Sequence, residues 1–205
     1  EKSNQAGVTQ HGIAIVQSTT RNTTVKEKLE KQDGLYHVYL EGSKNKQPIK
    51  EITLVKNVMS VVNANQEYDK YRQLFLSEEL EFIISNTTEA GIRYLEGDDI
   101  YAEPPVTFPA KITALLYQRL KKVEGNPNKG LHLLCTELID NNGSTLKEYV
   151  LQHALYFKLE AAFISWVDTA CCFYATLVDR IVPGFPKEDI DEIQQEIGFN
   201  DELVV

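Results

Sequence analysis

The sequence predicts an α/β fold: a mostly parallel sheet with helices on both faces, joined by one antiparallel hairpin. Short apolar runs that read as buried strands (residues 12–16, 82–84 and 131–135) alternate with stretches whose apolar residues recur at helical spacing. Two runs rich in β-branched residues and Tyr, 35–40 and 52–62, flank a Gly/Ser/Asn/Lys/Pro cluster at 41–48, the pattern of a hairpin. Polar residues also gather directly after the strands, where open parallel sheets receive their ligands.

Taken in order, residues 12–16 form a strand that leaves into the Ser/Thr-rich loop 18–24. The hairpin follows. From 66 to 76, Tyr68, Tyr71, Leu74 and Phe75 mark a helix, and 82–84 the next strand. Pro109 stands where a helix begins, and Ile112, Leu115, Leu116 and Leu120 share its apolar face. The turn-rich loop 125–130 (GNPNKG) precedes the strand 131–135, which runs into Glu137, Asp140 and Asn141. Residues 146–168 read as helical with a break near Phe157; 177–182 read as a further strand closed by Pro183, Gly184 and Pro186; and 187–197 form the last helix. No internal repeat or second domain is visible, so residues 1–205 count as one domain.

Composition narrows the function classes. The chain is 42% hydrophobic and 25% charged, like an ordinary globular domain. A net charge of -9 without a dense Lys/Arg run lacks the electrostatic footprint of a nucleic-acid binder. No run approaches the roughly 18 apolar residues of a membrane span, and the polar start carries no signal-peptide core, so a cytoplasmic location is expected. The odd count of three cysteines, with Cys171 and Cys172 adjacent, suits a reducing compartment. His132 and Cys135, three apart on a strand, do not make a metal site, and none is expected.

Five runs resemble one family. They are 32–36 (QDGLY), 85–92 (SNTTEAGI), 108–111 (FPAK) with 116–119 (LYQR), 137–143 (ELIDNNG) and 177–186 (LVDRIVPGFP). Together, in this order, they resemble the long-chain polyol and sugar-acid dehydrogenases related to mannitol dehydrogenase, and most of all their tagaturonate reductase branch. The resemblance implies a Rossmann-like dinucleotide-binding domain, NAD as cofactor, and hydride transfer between the nicotinamide and a hexuronate-derived keto or hydroxy acid, tagaturonate to altronate. Two departures accompany it. No G-x-G-x-x-G occurs, so the domain is expected to be incomplete at its N-terminus, lacking the first strand and glycine-rich turn. The family's helical catalytic domain would begin after Val205, so the fragment alone is expected to be inactive and to need that domain as its partner.

The candidate residues follow. Asn86, Thr87, Thr88 and Glu89 leave a buried strand where a loop of this fold passes the nicotinamide ribose; the resemblance puts Glu89 in the active site, while the plain alternative has Thr and Asn capping the next segment. Asp179 and Arg180 are charges inside an apolar run, so they are either paired with each other or used. By resemblance Asp179 is catalytic and Arg180 anchors a substrate carboxylate. Glu137 is expected on the substrate side. Polyol-oxidising relatives carry Asp-Asn where this chain has Glu137 and Leu138, and Leu138 cannot donate to a reacting oxygen, which argues against plain mannitol. Asn141, Asn142 and Gly143 also read as a simple turn. Gln17, Asn86 and Thr87 are expected on the cofactor side; residues 17–22 hold no acid for the adenosine ribose, and Arg21 could receive a 2′-phosphate, so NAD rests on the resemblance. The alternatives are a mannitol or fructuronate type dehydrogenase, and a non-catalytic binding module derived from the same fold.

Overall fold

The computed structural model describes residues 1–18, 24–87, 91–177 and 182–205. It divides into two compact units, Glu1–Asn63 with Arg180–Val205, and Ala64–Asp179.

The first unit opens with a helical turn, α1 (Lys2–Gln5), and strand β1 (Ile13–Gln17). Helix α2 (Thr24–Lys31) follows, beginning at the last residue of the expected loop 18–24, of which 19–23 lie outside the described residues. Its signal is weak because only Leu29 is buried; Lys and Glu supply propensity rather than an apolar stripe. The hairpin β2 (Tyr36–Lys44) and β3 (Gln47–Val55) is antiparallel as expected, but tighter. Asn45 and Lys46, at φ 54° and 64°, close it as a two-residue turn with both central residues left-handed, the twist that suits a hairpin.

The run 52–62 is not one strand. It breaks after Val55 and resumes as β4 (Val58–Asn63), which pairs in parallel with β1. Val55 and Val58 are both buried, and residues three apart on an uninterrupted strand would point to opposite faces; the break lets both enter the core. Helix α7 (Ile190–Ile197) starts later than expected and stops at Gly198, whose φ of 67° is a left-handed cap. Beyond it the chain lies along β2: Tyr39 N donates to Val205 O at 2.6 Å and Val205 N to His37 O at 3.2 Å. The buried Asp201 carboxylate fastens this segment by accepting from His37 N (2.6 Å), Gln32 Nε2 (3.0 Å) and Leu203 N (2.7 Å), with His37 Nδ1 at 2.9 Å. The QDGLY run is thus structural here. Gln32 serves this knot, and a Cβ on Gly34 would meet Val58 O at 2.5 Å.

The second unit carries helix α3 (Tyr68–Leu76) and three parallel strands in the order β5 (Phe82–Ser85), β6 (His132–Cys135) and β7 (Cys172–Ala175). Helix α4 (Phe108–Lys122) connects β5 to β6; α5 (Asn142–Tyr156) and α6 (Ala161–Ala170) connect β6 to β7. This is the predicted α/β arrangement of parallel strands and crossover helices, plus the hairpin. The break between α5 and α6 falls at Phe157, followed by Lys158 at φ 52°.

Strand β7 corrects the strand expected at 177–182. It begins at Cys172, five positions earlier, whereas Leu177 and Val182 belong to no strand and 178–181 lie outside the described residues. Cys171 is buried between α6 and β7 and behaves as a small core residue; Cys172 is exposed. The core joins Ile112, Leu115 and Leu116 of α4 to Leu133, Val150 and Phe163.

Two buried charges hold the loops of this unit. Arg119 is 0% exposed and donates to four main-chain oxygens: Lys129 O (3.0 Å), Phe75 O (2.9 Å), Ser77 O (2.6 Å) and Leu80 O (3.1 Å). One side chain thereby satisfies the C-terminus of α3, the approach to β5 and the loop before β6. Asp98 accepts from Val106 N (2.9 Å), Thr107 N (2.7 Å) and Thr107 Oγ1 (2.7 Å), fixing the long segment ahead of α4, while Thr107 Oγ1 caps the helix through Ala110 N.

Candidate functional site

Within the second unit, the carboxyl ends of β5, β6 and β7 are tied into one hydrogen-bonded platform. Thr136 joins the first two: its N and Oγ1 donate to Ser85 O at 2.9 and 2.6 Å. Glu137 follows. It is 2% exposed, and its two carboxylate oxygens accept from Ser85 Oγ (3.1 Å) on one side and from Thr87 N (3.0 Å) and Thr87 Oγ1 (2.9 Å) on the other. Charged acceptors make stronger hydrogen bonds than neutral ones, so this carboxylate holds the end of β5 firmly.

The link to β7 runs through Asn142, 0% exposed at the start of α5. Its Nδ2 donates to Glu137 O (2.9 Å) and Thr176 O (3.0 Å), and its Oδ1 accepts from Thr176 N (3.2 Å) and Gly143 N (2.8 Å). Thr176 Oγ1 closes the circuit on Cys135 O at 2.7 Å. Gly143 makes the approach possible: a Cβ there would stand 2.5 Å from Tyr174 C and 2.6 Å from Tyr174 O. Asn141, at φ 54°, turns the chain into the helix, so the turn reading of 141–143 describes the backbone but misses the work of the Asn142 side chain.

The structure distributes the expected site residues unevenly. Thr87 and Glu137 meet. Asn86, next to them, is exposed at the strand end. Glu137, expected on the substrate side, is turned inward, because a carboxylate at the end of a buried strand is stable only where donors surround it, and here three do. Leu138 is 63% exposed instead. Glu89, Asp179 and Arg180 lie outside the described residues. Gln17 belongs to the first unit, at the end of β1 in register with Asn63 of β4; its Oε1 is buried and has no hydrogen-bond partner among the described residues. Ser85, Asn142 and Thr176 were missed, although a polar residue at each strand exit and at the first turn of the following helix was the available signal.

Other chemistry is poorly served at this platform. Burial pushes the Cys135 thiol up to about 11, so it is no nucleophile. His132 lies on the opposite face of β6 from Cys135, with Nδ1 2.8 Å from Tyr174 Oη. Among the described residues, no group of three or more His, Cys, Asp or Glu is placed to hold a metal ion. Among the described residues no helix is long and apolar enough to cross a membrane.

The mannitol dehydrogenase Rossmann domain, as a family, matches residues 4–205. The chain belongs to the mannitol dehydrogenase family. Within that family it is similar to altronate oxidoreductases: 43% identical to that of Bacillus subtilis (strain 168) over 193 residues, and 40% identical to that of Pectobacterium carotovorum subsp. carotovorum (strain PC1) over 191 residues, covering 94% and 93% of this chain. It spans 40% and 39% of the length of these relatives. Among solved structures, Pseudomonas fluorescens mannitol 2-dehydrogenase, in a ternary complex with NAD and D-mannitol, superposes with a TM-score of 0.74 over 97% of this chain and 48% of its own. A substrate-free D-sorbitol dehydrogenase gives 0.72 over 94% of this chain and 41% of its own. Both are 18% identical and bear on the fold of this mannitol dehydrogenase family domain alone.

Proposed function

We propose that this chain is the dinucleotide-binding domain of a cytoplasmic NAD-dependent oxidoreductase that interconverts tagaturonate and altronate. The observation that carries the reading is the 43% identity to an altronate oxidoreductase over 94% of the chain. The exposed Leu138 supports the sugar-acid branch over a polyol branch, since a strand-end amide for a polyol oxygen is not available at that position. The three free cysteines agree with a reducing compartment.

The intact protein, in this reading, adds a first strand with a glycine-rich turn and a helical catalytic domain, in keeping with relatives of which this chain spans 40%. Each unit by itself carries parallel strands, β1 with β4 and β5, β6 with β7, of the kind a dinucleotide-binding domain is built from.

The residues present fit a dinucleotide. Gln17 Oε1, a buried acceptor with no donor among the described residues at the carboxyl end of a parallel strand, suits a ribose hydroxyl, which an NAD adenosine offers and a 2′-phosphate does not. The chemistry the dinucleotide supplies when bound is hydride exchange with the substrate carbon. Gln17, Asn86 and Thr87 serve the cofactor side. Glu89 and Asp179 serve the reacting side, and Arg180 receives the sugar-acid carboxylate through paired hydrogen bonds. Glu137 is assigned a supporting role, behind Thr87, rather than substrate contact.

The test is tagaturonate reduction by the full-length protein that carries this domain, followed as loss of NADH absorbance, with fructuronate, fructose and NADPH as controls. Rapid turnover with tagaturonate and NADH is expected. Preference for fructuronate or fructose would move the protein to another branch of the family, and no turnover with any of them would leave a non-catalytic binding module.

A further inference from the structure

Within the first unit, Val204 and Val205 lie against β2 as strand residues do. Tyr39 N donates to Val205 O at 2.6 Å and Val205 N to His37 O at 3.2 Å, so the two bonds bracket Val38, the pattern of a parallel pair. Val204 is 0% exposed and Val205 41%, the alternation of successive side chains on a strand. The direction is thereby set. A chain that keeps to this edge beyond Val205 runs beside β2 toward the hairpin turn.

Main-chain groups of β2 line that path. Because Asn45 and Lys46 close a two-residue turn, Lys44 and Gln47 form a hydrogen-bonded pair, and such pairs alternate along an antiparallel ladder. Tyr36, Val38, Leu40, Gly42 and Lys44 therefore bond β3, while His37, Tyr39, Glu41 and Ser43 aim their N–H and C=O the other way. Val205 takes the rung at His37 and Tyr39; the rungs at Glu41 and Ser43 come next. The outer edge of β3 is guarded instead. Pro48, opposite Ser43, has no N–H, Lys2 of α1 pairs with Glu51 at 2.6 Å, and Glu1 Oε2 accepts from Lys56 N at 3.1 Å. No proline interrupts β2. Residues 41–43 and 45–51 are exposed, and a two-stranded hairpin without further support is marginal in water.

We propose that the polypeptide following Val205 in the full-length protein continues as a strand parallel to β2. Its second residue bonds Tyr39 O and Glu41 N, and its fourth bonds Glu41 O and Ser43 N. The hairpin becomes a three-stranded sheet, and the junction to the next domain is a fixed strand in place of a loose tether. The inference rests on the proposed function only in taking the protein to be longer than this chain, as are the relatives of which it spans 40%. The substrate does not enter it.

Hydrogen–deuterium exchange of the full-length protein at single-residue resolution reads this edge directly. Leu40 and Gly42 are internal controls, since their N–H groups bond β3 in either case. With the strand in place, the Glu41 and Ser43 amides exchange as slowly as those controls, at least about 10-fold more slowly than free peptide amides. Fast exchange at Glu41 and Ser43 beside slow exchange at Leu40 and Gly42, the alternation of an open edge, overturns the inference. Protection that disappears on dilution also overturns it, because the edge then belongs to a second copy of the protein. A proline probes the same rung. Glu41→Pro removes an N–H that an open edge would not miss, and Glu41→Ala is its control. Limited proteolysis is expected to cut the Pro variant after Val205 about 10-fold faster than the Ala variant, and equal rates overturn the inference. Tagaturonate turnover, measured alongside, separates the two claims. A protein that turns over tagaturonate yet exchanges as an open edge loses only the strand; one with protected Glu41 and Ser43 but no turnover loses only the proposed function.

Discussion

Replacing Arg119 with Met should be among the most damaging single changes in the second unit. The guanidinium is wholly buried and bonds four main-chain oxygens from three separate segments. Methionine fills much of the stem volume but takes a donor from each of those oxygens in a dry site, leaving Ser77 O only its bond from Leu80 N. Each hydrogen bond from a charged group contributes about 1.5–3 kcal/mol, and removal of the guanidinium's own desolvation cost offsets part of the total, leaving a net loss of about 3–5 kcal/mol. Arg119→Lys keeps the charge but offers a single point donor in place of a planar fork, so about half of the loss should remain. Urea denaturation followed by circular dichroism reads this as a fall in the midpoint in the order wild type, Lys, Met, with an unchanged slope. A Met variant within about 1 kcal/mol of wild type would refute the reasoning, because it would mean that water satisfies the oxygens as well as Arg119 does.

Three further outcomes follow from the same structure. Gly143→Ala should lower the melting temperature sharply in a thermal scan, since its Cβ would meet the main chain of Tyr174 at 2.5 Å and overpacking against backbone costs about 1–3 kcal/mol or more. Burial pushes the Asp98 carboxyl up, but its hydrogen bonds from Thr107 and Val106 outweigh that and hold it below the ordinary carboxylate value. Its stabilising contribution is therefore complete above the unfolded-state pKa of about 3.9 and is lost as pH falls through the lower folded value, so the stability gap between wild type and Asp98→Asn should narrow over that acid range in pH-dependent denaturation. Iodoacetamide at pH 8 should label the exposed Cys172 well before Cys135 and Cys171, whose thiols burial pushes up to about 11, as peptide mass mapping would show; equal labelling would contradict that burial.

The parts legible in the sequence were those written in a single period. Helix α4 was visible because Ile112, Leu115, Leu116 and Leu120 keep helical spacing behind Pro109, and β6 because an apolar run is bounded by turn residues. The break of β3 from β4 was not, because 52–62 is β-branched throughout and only the shared burial of Val55 and Val58 demands it. Helix α2 hid in a polar segment, and β7 hid because no Gly or Pro separates it from α6. At the candidate site, Glu137 was legible as a polar residue at a strand end but its inward direction was not, since that depends on Ser85 and Thr87 some 50 positions away. Asn142 looked like turn chemistry because Asn is common in turns; its tertiary bonds to Glu137 and Thr176 have no local sign.

The knot around Asp201 has a temporal consequence. Its bond to His37 spans 164 positions, so the hairpin cannot be fastened until the ribosome has delivered nearly all of these residues. The unit Ala64–Asp179, being contiguous, can acquire its structure earlier, during synthesis. Between those two moments β2 offers its main-chain groups at Tyr39 and His37 to whatever strand arrives, which makes the interval before Val205 emerges the one in which a nascent chain most needs protection from its neighbours.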